Sequence, residues 1–182
     1  MSFSTRIFMA YRNKIQSLSR WLAHVCTGLL ILLPALSLLI WLKLDWFPQI
    51  FEDRYDVATF DVMTQIYGAL FSLLPLAIWL FGLINLRRLF KNYALGQVFL
   101  LENAIYIRKF AWVSIIGGGL APVFGGVYSV ILSMNHADGE RFLSVNIGTT
   151  EIHTILLGLV FVVISHVMEE AQSLSVENQQ FV

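Results

Sequence analysis

Four long apolar runs constrain this chain more than any other feature of its sequence. They fall at about residues 21–42, 64–86, 110–134 and 150–168, and the first three are free of charged residues. A helix of about 20 apolar residues is long enough to cross the hydrocarbon layer of a bilayer. Only 13% of the residues are charged, against about 25% in a typical soluble domain. We therefore predict an all-α integral membrane bundle of four transmembrane helices.

The distribution of basic residues predicts the orientation of these spans. The connector between the second and third spans carries Arg87, Arg88, Lys91, Arg108 and Lys109 with a single acid, Glu102. Segment 1–20 has four basic residues and no acid, whereas the other two loops are acidic. Lys and Arg are retained on the cytoplasmic side of a membrane, so both termini and the connector are predicted to be cytoplasmic. The net charge of zero gives no indication of direct nucleic-acid binding.

Outside the four-span domain, 21–168, the chain has two short terminal segments. Segment 1–20 is basic and has apolar residues at helical spacing, so both an amphipathic helix on an anionic membrane surface and a solvated tail stay open. Segment 169–182 is predicted to continue the fourth helix into water. The connector is predicted to be a short helical segment that turns at Gly96, where a positive φ suits a helix C-terminus, with a new helix beginning near 99–101.

The third span has small residues at every fourth position, a pattern that lets another helix approach closely. These predicted helix-packing residues are Gly117, Ala121, Gly125, Ser129 and Ser133. A central proline is expected to kink three of the spans, at Pro34, Pro75 and Pro122. Kinked helices can frame a cavity, and whether a lipid or small apolar ligand binds between them stays open.

Few residues indicate chemistry. The sequence has no hydrolase, metalloprotease or nucleotide-binding motif, and the acidic loop 43–61 lacks the ordered spacing of a calcium loop. Four histidines are weak haem-ligand candidates, two expected near each membrane face: His24 and His166 at the inner face, His136 and His153 at the outer face. Transporters usually have ionisable residues well inside their spans, and Glu151 is expected near a helix end. No cofactor, metal or catalytic residue is predicted.

Two stretches of the chain resemble a known family. They are LRRLFKNYALGQVFLLENAIYIRKFAW, with Gly96, Phe99, Glu102 and Asn103 as its signature, and HVMEEAQSLSVENQQFV. Both are similar to bacterial membrane proteins catalogued as domain of unknown function 2975. The family usually has Ser or Thr, residues that cap helices, where this chain has Leu100. The resemblance implies four spans, an inner-membrane location, and a cytoplasmic helix-turn-helix regulator as a candidate partner.

These patterns favour a non-enzymatic inner-membrane protein, a regulatory or sensory subunit that acts through protein contacts at its cytoplasmic face. The tail is expected to dock on the connector, with Leu174 against Phe90 or Phe99 and Glu170 paired with Arg87 or Arg88. The predicted partner-binding residues are Arg87, Arg88, Gly96, Phe99, Glu102, Asn103, Glu170, Leu174, Glu177 and Asn178. The lipid bilayer and a second copy of the chain are further candidate partners. The alternative function is a small transport or haem-binding redox protein.

Overall fold

The computed structural model describes residues 3–51, 55, 60–136 and 141–180, with residues 3–12, 45, 48, 175 and 178–180 described by their backbone alone. The long helices are α1 Phe3–Leu42, α2 Val62–Ala94, α3 Leu101–Ser133 and α4 Thr149–Gln180, and two short 3₁₀ helices follow α1 at Leu44–Trp46 and Pro48–Phe51. Each long helix contains a stretch long and apolar enough to cross a membrane. The prediction of an all-α, four-span membrane protein is therefore confirmed at this level.

The helix ends follow the sequence signals closely. α2 ends at Ala94, Gly96 has a φ of 78°, and α3 begins at Leu101. α4 continues to Gln180 without a break, as expected of the C-terminal segment. The basic N-terminal segment is part of α1 from Phe3 onward. It is therefore the first turns of the helix that contains the first span, and not a separate element.

Consecutive helices are antiparallel and pack in chain order. Trp41 of α1 lies over Gly68 of α2, Gly82 of α2 faces Val113 of α3, and Gly118 of α3 faces α4. Among the described residues, extensive helix–helix contacts join only α1 to α2, α2 to α3, and α3 to α4. The α2–α3 turn therefore lies at one end of the molecule, which we call the turn end. The loops after α1 and α3 lie at the opposite end, which we call the loop end.

The predicted ladder of small residues on α3 does not form one helix contact. Gly117 faces the side chains of α2, while Ser129 and Ser133 are buried against the segment that follows α3. A Cβ built at Gly125 would meet no atom within 4 Å, so Gly125 does not lie at a contact between the described parts of the helices. The close approach of α3 and α4 instead involves Gly118 and Gly158, where an added Cβ would lie 2.9 and 2.7 Å from isoleucine side chains.

Aromatic residues close the loop end. A buried cluster here consists of Leu44, Phe51, Phe60 and Leu132. The Phe51 ring makes edge contacts with the rings of Trp41 and Phe60. The first loop therefore folds over the ends of α1 and α3. Of its acids, Asp61 accepts a hydrogen bond from the Met63 N–H and caps α2. Glu52, Asp53 and Asp56 lie outside the described residues.

Candidate functional site

A cavity of about 690 Å³ opens between α1 and α3 towards the loop end. α2 and the first loop complete its wall, and the described residues show no extensive contact between α1 and α3. Its apolar walls carry a few polar side chains and one carboxylate. The lining residues that matter here are Trp41, Tyr55, Ser72, Gly125, Tyr128, Ser144, Asn146 and Glu151. A cavity of this size and composition is typical of small-ligand sites.

An extended segment, 141–148, forms one wall of the cavity. It runs back along α3 from its end: the Ser133 hydroxyl lies 3.3 Å from the backbone N of Phe142, and the Ser144 N–H donates to Ser129 Oγ at 2.8 Å. Its side chains alternate, with Leu143, Val145 and Ile147 exposed on one side and Ser144 and Asn146 lining the cavity. Backbone outside helices is tolerated at membrane depth only where protein covers it or it lines a cavity, and this segment meets that condition.

Because segment 141–148 runs back along α3, α4 begins beside the uncharged part of α3. A Cβ added at Gly118 would lie 3.1 Å from the backbone oxygen of Glu151. By helical rise, this level is about 22 Å from the loop end of α3 at Ser133 and about 12 Å from Phe110, where its uncharged stretch begins. Glu151 is the third residue of α4 and so lies near a helix end, as expected, and its backbone lies beside the uncharged part of α3.

Glu151 has a local structural role as well as a place in the cavity. Its Oε2 accepts a hydrogen bond from the Gly148 N–H at 2.7 Å. This is the return bond of a capping box, in which a glutamate at the third helical position bonds the backbone of the capping residue. Sequence analysis missed this carboxylate as a site residue. The signals that indicate it are the period-two alternation of 143–147 and the glutamate three residues after Gly148.

At the turn end, two asparagines fix the connection between α2 and α3. The Asn92 amide donates to Asn103 Oδ1 at 2.8 Å. The Asn103 amide donates to the backbone oxygens of Gln97 and Val98 at 2.7 and 2.9 Å. Leu100 makes no side-chain cap at the start of α3, so Asn103 supplies the side-chain bonds that hold the turn. Asn103, predicted as a partner-binding residue, is completely buried and therefore structural.

The remaining predicted partner-binding residues divide by exposure. Arg87 is half-buried and donates from Nε to the Thr27 hydroxyl at 2.8 Å, which ties α2 to α1. Gly96 is half-buried in the turn. Of Asn178 only the backbone is described. The exposed members are Arg88, Phe99, Glu102, Glu170, Leu174 and Glu177.

α4 does meet the connector region, but through other residues than those predicted. Arg108 Nη1 and Glu169 Oε2 form an ion pair at 2.8 Å between α3 and α4, and the Tyr93 hydroxyl lies 3.7 Å from Met168 Sδ. Leu174 and Phe99 are 54% and 69% exposed, and the described ion pairs do not include the predicted pairing of Glu170 with Arg87 or Arg88. The acids of α4 beyond Glu169, Glu170 and Glu177, are exposed.

The histidines are not arranged as haem ligands. His153 is two residues from Glu151 and lies at the same depth, whereas His136 follows the end of α3, about 25 Å further along the helix axis. His24 and His166 are exposed on α1 and α4, two helices without extensive contact. The part of the chain that the structure describes contains no cluster of three or more potential metal ligands. The positions of His136 and His153 therefore do not support their weak candidacy as a pair of haem ligands.

Comparison with known proteins gives one match. A family model described as "Protein of unknown function (DUF2975)" matches residues 7–182, which confirms the resemblance noted in the sequence. No curated protein and no solved structure matches the chain.

Proposed function

We propose that this chain, which belongs to the DUF2975 family of proteins of unknown function, is a non-enzymatic regulatory or sensory membrane subunit. Its turn end faces the cytoplasm and binds a soluble protein, for which the family resemblance suggests a helix-turn-helix regulator. The positive-inside distribution of basic residues supports this orientation. The surface proposed to bind the partner is the α2–α3 turn together with the part of α4 that extends beyond Met168.

One observation carries the proposal: large apolar side chains are exposed on a turn whose backbone is fixed. Leu95 and Phe99 are 72% and 69% exposed, although they are flanked by the charged residues Lys91 and Glu102. The Asn92–Asn103 hydrogen bonds hold the backbone between them. Apolar side chains on a rigid support are typical of recognition surfaces.

Charge favours an acidic rim on the partner. Arg88 and Lys91 are exposed on the side of the turn formed by α2, and the described residues show no ion pair for either. Carboxylates around an apolar pocket of the partner would meet these cations at the edge of the contact, where charges contribute to specificity and association rate. Phe99 would then fill the pocket as the central anchor.

The test is co-purification of the helix-turn-helix regulator with the full-length protein from native membranes. Phe99→Ala is expected to weaken the complex at least about tenfold, because truncating a central aromatic anchor typically costs about 2 kcal/mol or more. Phe81→Ala is the matched control, since Phe81 is an exposed phenylalanine in the apolar span of α2. Equal capture of the regulator by both variants, or none by the unmodified protein, contradicts the proposal.

Transport of a small solute is the second candidate, and the position of Glu151 favours it. A carboxylate inside an apolar layer is a frequent feature of transport pathways, and a broken backbone before a membrane helix is typical of transporter sites. Uptake of a radiolabelled solute into proteoliposomes distinguishes this candidate from a sensory role, in which binding occurs without net flux. The haem-binding version of the alternative has no such support, given the separation of the histidines.

A further inference from the structure

We propose that the loop-end cavity binds a hydrophobic organic cation, a tertiary or quaternary ammonium with aryl or alkyl substituents, with Glu151 as its counter-ion. This inference goes beyond the proposed function and does not depend on a partner at the turn end. It rests on three features of the cavity: a carboxylate at its inner limit, aromatic residues in its wall, and a volume of about 690 Å³.

The described residues form no ion pair with the Glu151 carboxylate. Oε2 of Glu151 is bonded to the Gly148 N–H, and the ion pair found among the described residues, Arg108 with Glu169, lies elsewhere. An unpaired carboxylate is costly in apolar surroundings. A cation bound beside it removes that cost, and the attraction between the two charges is stronger there than in water.

The aromatic wall determines which kind of cation fits. Trp41, Tyr55 and Tyr128 line the cavity, and the faces of such rings attract ammonium groups. Apolar substituents on the nitrogen would lie against Leu33 and Leu36, which also line it. A metal ion fits less well, because calcium needs six or more oxygen ligands and the described residues hold no cluster of metal-ligating side chains.

The test uses full-length protein in phosphatidylcholine nanodiscs and radiolabelled tetraphenylphosphonium as the probe. We expect saturable binding above the background of empty nanodiscs. Benzyltrimethylammonium should displace the probe, whereas neopentylbenzene, the neutral molecule of the same shape, should be at least about tenfold weaker. Equal displacement by the charged and neutral compounds would show that charge plays no part, and displacement by Ca²⁺ alone would identify a metal site. Either result overturns the proposal.

Glu151→Gln tests the counter-ion, because the Gln side-chain oxygen can still accept the Gly148 N–H bond. This variant should raise the Kd of tetraphenylphosphonium at least about tenfold. Glu169→Gln, the same chemical change further along α4 at the Arg108 pair, should leave the Kd within about twofold. Unchanged binding by Glu151→Gln overturns the proposal, as does the absence of saturable binding to the unmodified protein at about 1 mM probe.

Gly125→Leu provides a second variant that does not alter the charge. Gly125 lines the cavity, and a Cβ there meets no atom within 4 Å, so the leucine should occupy ligand space without displacing a helix. We expect loss of tetraphenylphosphonium binding with no fall in the melting temperature. Full binding by a folded Gly125→Leu protein would show that the probe lies elsewhere, and this result stands even if Glu151→Gln does not fold.

Discussion

Asn103 illustrates how a single buried amide can determine a connection between two helices. Its oxygen accepts one hydrogen bond from Asn92, and its nitrogen donates two to backbone oxygens of the turn. The two donated bonds satisfy backbone carbonyl groups of the turn, those of Gln97 and Val98. Gly96 supplies the positive φ of the same turn. The conformation of the turn thus depends on these two residues, while the exposed residues between them remain available for contacts.

At this scale we predict that Asn103→Ala lowers the free energy of unfolding by about 2–4 kcal/mol. The estimate combines lost hydrogen bonds, worth about 1 kcal/mol each, with the cost of leaving buried polar groups unpaired. Asn103→Asp should also destabilise, because a carboxylate cannot donate to the oxygens of Gln97 and Val98. Thermal melting in detergent measures the effect. Gln97→Ala, which removes an exposed side chain, is the control, and equal melting temperatures for the control and Asn103→Ala would contradict this role.

Among the elements, the α3–α4 pair has the closest backbone approach. An added Cβ at Gly158 would lie 2.8 Å from the backbone oxygen of Ala111, and one at Gly118 would lie 3.1 Å from that of Glu151. Ala104 and Ala111, completely buried on α3, continue the series of small residues at intervals of seven. Small residues allow the two backbones to approach closely. Close packing matters for association in a membrane, because apolar side chains gain little free energy when they leave lipid for contact with each other.

The corresponding prediction compares two glycine substitutions of equal size. Gly158→Leu should destabilise the protein by about 1–3 kcal/mol, the usual cost of overpacking, because the nearest atoms include backbone that cannot move aside. Gly125→Leu should be neutral or slightly stabilising, since leucine is a better helix former than glycine. Melting of both variants in one detergent measures the difference. A larger loss for Gly125→Leu would mean that α3 packs through its predicted ladder after all.

The sequence was sufficient to predict the spans but not which face of α3 meets which neighbour. Gly117, Gly118 and Gly119 are consecutive, so small residues occur on several faces of the helix at once. Gly125 is seven residues from Gly118 and therefore lies on nearly the same face, but α4 begins beside Gly118, and a Cβ at Gly125 meets no atom within 4 Å. The choice depends on the larger residues of the other helices, such as Ile155 opposite Gly118, and a single sequence does not specify those pairings.

For the whole molecule, the main departure from the sequence prediction is the depth at which α4 begins. An average of hydropathy over a long window treats 141–148 as a polar loop, because Ser144 and Asn146 alternate with apolar residues. In the structure that alternation separates a cavity-lining side from an exposed side. The hydrogen bonds to Ser129 and Ser133 join the segment to α3, and such contacts between distant parts of the chain are not encoded in local periodicity.

Orientation in the membrane is tested with single cysteines and a membrane-impermeant thiol reagent. Cys26 is buried and is replaced by alanine to give a cysteine-free background. Gln49→Cys, exposed after α1, should react in intact cells, and Gln97→Cys, exposed in the turn, should react only after permeabilisation. These outcomes follow from the excess of basic residues at the turn end. Reaction of Gln97→Cys in intact cells would place the turn outside and reverse the proposed topology.

The same assay tests whether the cavity is open to water at the loop end. Gly125 and Val123 are two residues apart on α3 and thus about 3 Å apart in depth, but Gly125 lines the cavity and Val123 is exposed away from it. Thiolate forms in water and not in hydrocarbon, so Gly125→Cys should react in intact cells while Val123→Cys stays unlabelled. Because both sites have nearly the same depth, a difference in labelling reports the cavity and not the distance from the membrane surface. Equal labelling of the two would mean that this part of α3 meets a single environment, and the cavity would then have no aqueous access from the loop end.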